Sequence, residues 1–213
     1  MKKTFLALLI FAAFNSIEAQ WNFNASMGLD FKSTPSLRDY INSGFSNPAS
    51  LFASFKSAIN FTGEADYTIK NNFQIGLEYS YQMDSYNTPL GSGGVYEVSY
   101  DNHRPTIVAY YLIPGAGYQF KFGGGIGFRY ASLNERIASN VNHTFSGFGF
   151  LLRVLGNTML GKNFYALVGA DLRYDLLSQI ANSNNMMVNK ANGENINLNS
   201  ISVGILLGVT FTF

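Results

Sequence analysis

The 213-residue sequence has no cysteine, which rules out disulfide staples and an anchor attached through an N-terminal cysteine. It is poor in charge: 13% of residues are Asp, Glu, Lys or Arg, against about 25% in an ordinary soluble domain. It has two histidines, so few constellations that need an imidazole base can be built. The net charge is +1, which gives no electrostatic case for nucleic acid. Beyond the first 20 residues no apolar run reaches the roughly 18 residues of a membrane helix.

Against these absences stand 19 Phe and 13 Tyr. A greasy, charge-poor chain without a membrane helix must spread its apolar residues over alternate positions, as a membrane barrel does. The N-terminal segment "MKKTFLALLIFAAFNSIEAQ" reads as a secretory signal peptide over 1–19, with Lys2 and Lys3 ahead of a short apolar stretch. The expected mature domain is 20–213.

Alternation runs through most of that domain. Trp21, Phe23, Ala25, Met27, Leu29 and Phe31 share one parity, and Asn22, Asn24, Ser26, Asp30 and Lys32 the other. The same division recurs at 54–69, 73–82, 118–130, 147–154, 164–175 and 202–213. A further strand lies within 95–112, where Asn102, Arg104 and Pro105 interrupt the pattern and predict a bulge or an edge irregularity. That gives an all-β protein: an eight-stranded, antiparallel, up-and-down transmembrane β-barrel. Connections at 70–72, 113–117 and 155–163 are expected to be short. Those at 33–53, 84–94, 132–143 and 178–196 are expected to be long. Such alternation places the short turns in the periplasm and the long loops outside. Trp21, Phe23, Tyr67, Phe73, Tyr118, Phe164, Phe211 and Phe213 then mark the inner interface; Tyr79, Tyr81, Phe128, Tyr130 and Tyr174 mark the outer one.

In the first long loop, "STPSLRDYINSG" predicts a short helix with Thr34 as N-cap, Pro35 at its first position and Gly44 just past its end. Leu37, Tyr40 and Ile41 form its apolar face. That face either packs on the barrel rim or meets a partner, and the same choice holds for Met186 and Met187 in the Asn-rich last loop.

The stretch "RPTIVAYYLIPGAGYQFKFGGGIGFRY" and the terminal "VTFTF" resemble the small outer-membrane β-barrel proteins of the OmpA/OmpX-like class, in particular the single-domain Bacteroidota-type family. The resemblance covers residues 20–213. It implies a bacterial outer-membrane location and outer-membrane lipid as surroundings. It also implies that Phe211 and Phe213 form an assembly signal read by the barrel-assembly machinery. It does not specify an activity, because one barrel hosts many functions.

The parity of the charges bears on function. Asp30, Glu64, Asp66, Glu78, Asp171 and Asp175 point inward, as do Lys32, Lys56, Lys121, Arg129, Arg153 and Arg173. The lumen is expected to be plugged by a charge network of Glu64, Glu78, Lys121, Arg129, Arg153, Asp171 and Arg173, with Glu64 or Glu78 paired to Arg153 or Lys121. Gly123, Gly125 and Gly127 are expected to make room for side chains from the opposite wall. The leading expectation is a non-enzymatic barrel without cofactor, metal or catalytic residues. It would be structural, surface-binding or an accessory subunit that meets an envelope protein through its outer loops. The alternatives are a lipid-modifying barrel using His103 (near Asp101 and Ser99) or His143 (near Ser146 and Ser139), and a small pore.

Overall fold

The computed structural model describes residues 21–45, 51–70, 72–90, 94–137, 139–180, 186–189 and 192–213. The expected signal peptide over 1–19 and the loop residues 181–185 lie outside them. The strands are β1 (Trp21–Ser33), β2 (Lys56–Lys70), β3 (Phe73–Pro89), β4 (Val95–Gly115), β5 (Tyr118–Arg136), β6 (Asn140–Gly161), β7 (Phe164–Gln179) and β8 (Ser200–Thr212). Each pairs antiparallel with its neighbour in sequence, and β8 returns to β1 over Asn22↔Thr212 to Ser33↔Ile201. Closure gives every strand a neighbour on both sides through the belt, which is how a sheet satisfies its backbone groups without water.

The exterior follows the expected parity. Met27, Leu77, Ile107, Ile126, Phe148, Leu152, Ile205 and Leu207 are all exposed, and all would face lipid. Aromatic rings border this belt. Trp21 pairs with Tyr67, Phe73 with Tyr111 and Phe164 with Phe211 near the short turns. Tyr81, His103 and Tyr130 form a cross-strand row at the other end. Gly117, at φ 80°, takes the left-handed position that the tight β4–β5 turn requires.

Strand β4 differs from the expectation. It runs unbroken for 21 residues, and its register with β5 is the same on both sides of Arg104 and Pro105, with no bulge. The ladder to β5 merely skips those two residues, while β3 pairs with both. The fixed ring of Pro105 lies on the lipid side, and Arg104 points into the lumen.

The expected long loops at 84–94 and 132–143 are mostly strand. β3 continues to Pro89 and β4 starts at Val95; β5 continues to Arg136 and β6 starts at Asn140. A four-stranded wall thus rises above the membrane belt. The hydrophobic pattern inverts as it does so. Within the belt most apolar side chains face out, and a smaller set led by Val108, Leu112, Leu151, Leu155, Leu167 and Leu206 packs inside. Above it Tyr96, Val98, Tyr100, Ala131, Leu133 and Phe145 face in and are buried.

Helix α1 (Pro35–Gly44) supplies the other half of this upper core: Leu37, Tyr40 and Ile41 turn down onto those side chains. Pro35 opens the helix as expected, but two details of its ends do not hold. The Thr34 hydroxyl makes no cap; only its carbonyl is used, accepting the Arg38 N–H at 3.0 Å. Gly44 is the last helical residue, and the cap is Phe45, whose N–H reaches the Ile41 carbonyl at 2.9 Å. Phe45 stacks on Tyr96, with ring centroids 4.2 Å apart, and that packing fixes the helix end.

Candidate functional site: the filled lumen and its lid

Among the described residues, eleven charged side chains in the lumen are each at most 2% exposed: Asp30, Glu64, Asp66, Glu78, Arg104, Lys121, Arg129, Arg153, Asp171, Arg173 and Asp175. Burying such groups is tolerated only when each is paired and hydrogen-bonded.

The middle tier is built around a conflict in register. Glu64 and Glu78 stand directly opposite each other on β2 and β3, where like charges repel. Arg153 reaches across from β6 and binds both, Glu64 at 2.8 Å and Glu78 in direct contact. The same guanidinium grips Asp171 with two bonds, of 2.7 and 2.8 Å. Arg173 closes the ring between Glu78 (2.9 Å) and Asp171 (2.8 Å). Tyr110 donates to Glu64 at 2.8 Å. Two planar cations thus satisfy three carboxylates in a fork geometry that lysine cannot supply.

Below, toward the short turns, Lys121 pairs with Asp66 at 2.9 Å; it does not reach Glu64 or Glu78 as a partner of the kind the sequence suggested. Asn24 donates to both Glu64 (2.7 Å) and Asp66 (2.9 Å) and links this tier to the middle one. Above, Arg129 pairs with Asp175 at 2.5 Å, and Arg104 pairs with Asp30 at 3.1 Å. Asn60 and Gln82 each donate to Asp30 at 2.6 Å. Alternation alone does not place Arg104 in the lumen, because the pattern of its strand breaks at Asn102, Arg104 and Pro105. Lys32 lies over the Tyr100 ring at 3.6 Å, and Lys56 sits at the rim over Phe52 and Tyr86.

The glycines of β5 act locally. A Cβ at Gly123 would strike Tyr110, and one at Gly125 would strike Thr106 and Val108. They make room for neighbours on β4, not for the opposite wall. Gly149 lies beneath the Arg129–Asp175 pair.

The lid is fastened by Glu135. Tyr40 from α1 and Tyr96 from β4 both donate to its Oε1 at 2.9 Å, and His143 Nε2 is 3.7 Å from its Oε2. Residue 135 stands above the aromatic row of Tyr130, outside the membrane belt. Burial pushes this carboxyl up, but His143, Tyr96 and Tyr40 outweigh it and hold it below the usual carboxylate range. Tyr40 and Tyr96 are pushed up, first by burial and then by the same carboxylate. The fold therefore favours ionised Glu135. Its stabilisation is complete above the unfolded value, about 4.3, and is lost as pH falls through the lower folded value. Hydrogen exchange at the α1 amides of wild type should rise, after correction for intrinsic rates, as pH drops below about 4. Glu135→Gln should remove that step; an unchanged step in the variant would assign it to another group.

Leu37, Tyr40, Ile41 and Met187 are buried in this upper core, so they offer no docking face; Met186 is exposed. The Met187 N–H reaches Gln179 Oε1 at 3.1 Å, which ties the last loop to β7. The two histidines lie in different places. His103 is on the outside, with Nδ1 2.5 Å from Tyr79 Oη, while Asp101 accepts from Tyr81 instead. His143 faces inward and Ser146 faces outward, on opposite sides of the wall. Among the described residues no three His, Asp or Glu side chains gather as a metal ion would need.

A closed eight-stranded ring, an apolar belt between two aromatic borders and a polar filled interior together define an outer-membrane β-barrel. Solved structures agree on the fold. OprG from Pseudomonas aeruginosa superposes with a TM-score of 0.55 at 13% identity, over 92% of this chain and 96% of that one. Neisserial surface protein A gives 0.54 at 12% identity, over 91% and 97%. Ail, the attachment invasion locus protein of Yersinia pestis, gives 0.54 at 9% identity, over 92% and 100%. No family model matches the sequence, and no curated protein is similar to it in sequence.

Proposed function

We propose that the protein is a non-enzymatic outer-membrane barrel, closed to solutes, which serves as a structural and surface-binding element or as an accessory subunit of an envelope complex. The filled lumen carries this reading. Its buried charges are paired from the lower to the upper tier, and a helix with its own apolar core covers the mouth. Opening a water path would strand several of these charges at once. The outer loops would meet the envelope partner, and the exposed Phe211 of β8 and Phe213 just past its end would be read by the assembly machinery.

Planar-bilayer recording tests closure directly. Purified protein is expected to give no steady conductance, and a large steady current would overturn the reading. One observation favours a lipid-modifying alternative: His103 faces the outer leaflet beside Tyr79. Mass spectrometry of lipid A from cells carrying His103→Ala should match wild type; a changed acylation pattern would establish the alternative.

A further inference from the structure

The wall above the belt presents an outward face that neither the lumen nor the lid uses. Its side chains fall into cross-strand rows. The lowest is Tyr81–His103–Tyr130, the aromatic row at the outer interface. The next holds Met83, Asp101, Ser132 and Thr144. Above it stand Ser85, Ser99 and Asn134, and at the top Asn87, Glu97, Arg136 and Asn140. Three row steps of two residues each span roughly 20 Å along the strands, so about 15 Å above the interface once strand tilt is allowed for. The upper two rows line an open groove of about 590 Å³.

We propose that this groove binds the neutral sugars of an outer-leaflet glycolipid. Position is the first argument. The face continues the lipid-contacting belt directly upward, so the molecules standing beside it are the headgroups of the surrounding lipids. Side-chain chemistry is the second. Asn87, Asn134 and Asn140 each offer a donor pair and an acceptor, and Ser85 and Ser99 offer hydroxyls; this set matches adjacent sugar hydroxyls, which both give and take hydrogen bonds. Charge is the third. Glu97 and Arg136 neutralise each other at 2.5 Å, so the groove has no excess of cations with which to hold phosphate. These two rows also lack an exposed large apolar anchor of the kind that dominates protein interfaces. The inference does not depend on the lumen being closed, and its test reads neither conductance nor lid opening.

The test uses the full chain in phosphatidylcholine nanodiscs of three compositions: without additive, with lipid A, and with lipopolysaccharide that carries its core oligosaccharide. Lipid A has the phosphates and acyl chains but not the core sugars. The side-chain amide resonances of Asn87, Asn134 and Asn140 are expected to shift only in the third preparation. The temperature at which the protein loses its compact gel mobility should also rise more with lipopolysaccharide than with lipid A. In the triple variant N87A/N134A/N140A that difference should vanish, while the mobility itself is retained. Equal shifts with lipid A and lipopolysaccharide would assign the effect to phosphate or acyl chains and overturn the proposal. So would the absence of any shift in wild type, a result that needs no variant to fold.

Discussion

Arg153→Ala is expected to lose roughly 3–5 kcal/mol of unfolding free energy, the range for removing one partner from a buried ion pair. The side chain touches Glu64, Glu78 and Asp171, and the first two already face each other across adjacent strands. Without the guanidinium only Arg173 remains in that tier, and it bonds Glu78 and Asp171 but not Glu64. Glu64 would keep Asn24 and Tyr110 as hydrogen-bond donors but no cation partner. Urea unfolding from phospholipid vesicles measures the loss. A change below about 1 kcal/mol, the scale of an exposed pair, would show that the middle tier is far wetter than its burial implies.

A single methyl group should act almost as strongly at Gly149. A Cβ there would lie 2.6 Å from Arg129 Cζ and closer still to Arg129 Nε and Asp175 Oδ1. Those two atoms are the ion pair itself, and both side chains are buried. Gly149→Ala should therefore cost about 1–3 kcal/mol through overpacking, and more if the pair separates. Gly63 is the control. It is also a mid-strand glycine, but a Cβ there meets nothing within 4 Å. Gly63→Ala should be neutral or slightly stabilising, since a strand glycine gains order from any side chain. Equal losses at the two sites would mean that general strand effects, and not the ion pair, set the cost.

The barrel was legible because lipid and lumen sort residues by parity, and seven of the strands show that sorting plainly. β4 does not. Its stretch from Ile107 to Ile113 is apolar on both parities, since Val108, Tyr110 and Leu112 fill the lumen while Ile107, Ala109, Tyr111 and Ile113 line the outside. Arg104 could have resolved it: a guanidinium does not face hydrocarbon, so its parity had to be the inward one. The extended strands above the membrane looked like loops for a related reason. Their outward residues, such as Ser85, Asn87, Ser99 and Asn134, are polar, while the apolar ones have moved to the opposite parity. A pattern that reverses partway along a strand reads as no pattern. The inward direction of the charges was legible, but their exact partners were not. Lys121 chose Asp66 because the two meet at one height in the lower tier, and height depends on barrel shear, which alternation does not encode.

That reversal gives the chain two parts with opposite thermal character. The upper core of Tyr40, Ile41, Tyr96, Leu133, Phe145 and Leu198 is walled off from water, so opening it hydrates apolar surface and raises the heat capacity. The belt below already spends its life against hydrocarbon, and its interior is held largely by charge and hydrogen bonds, beside a smaller apolar cluster of Val108, Tyr110, Leu112, Leu151, Leu155, Leu167 and Leu206. Cooling weakens the first kind of cohesion and has no comparable effect on the second. The lid is thus the more cold-labile end of the molecule, seated on a base whose cohesion rests mainly on paired charges and less on the ordering of water.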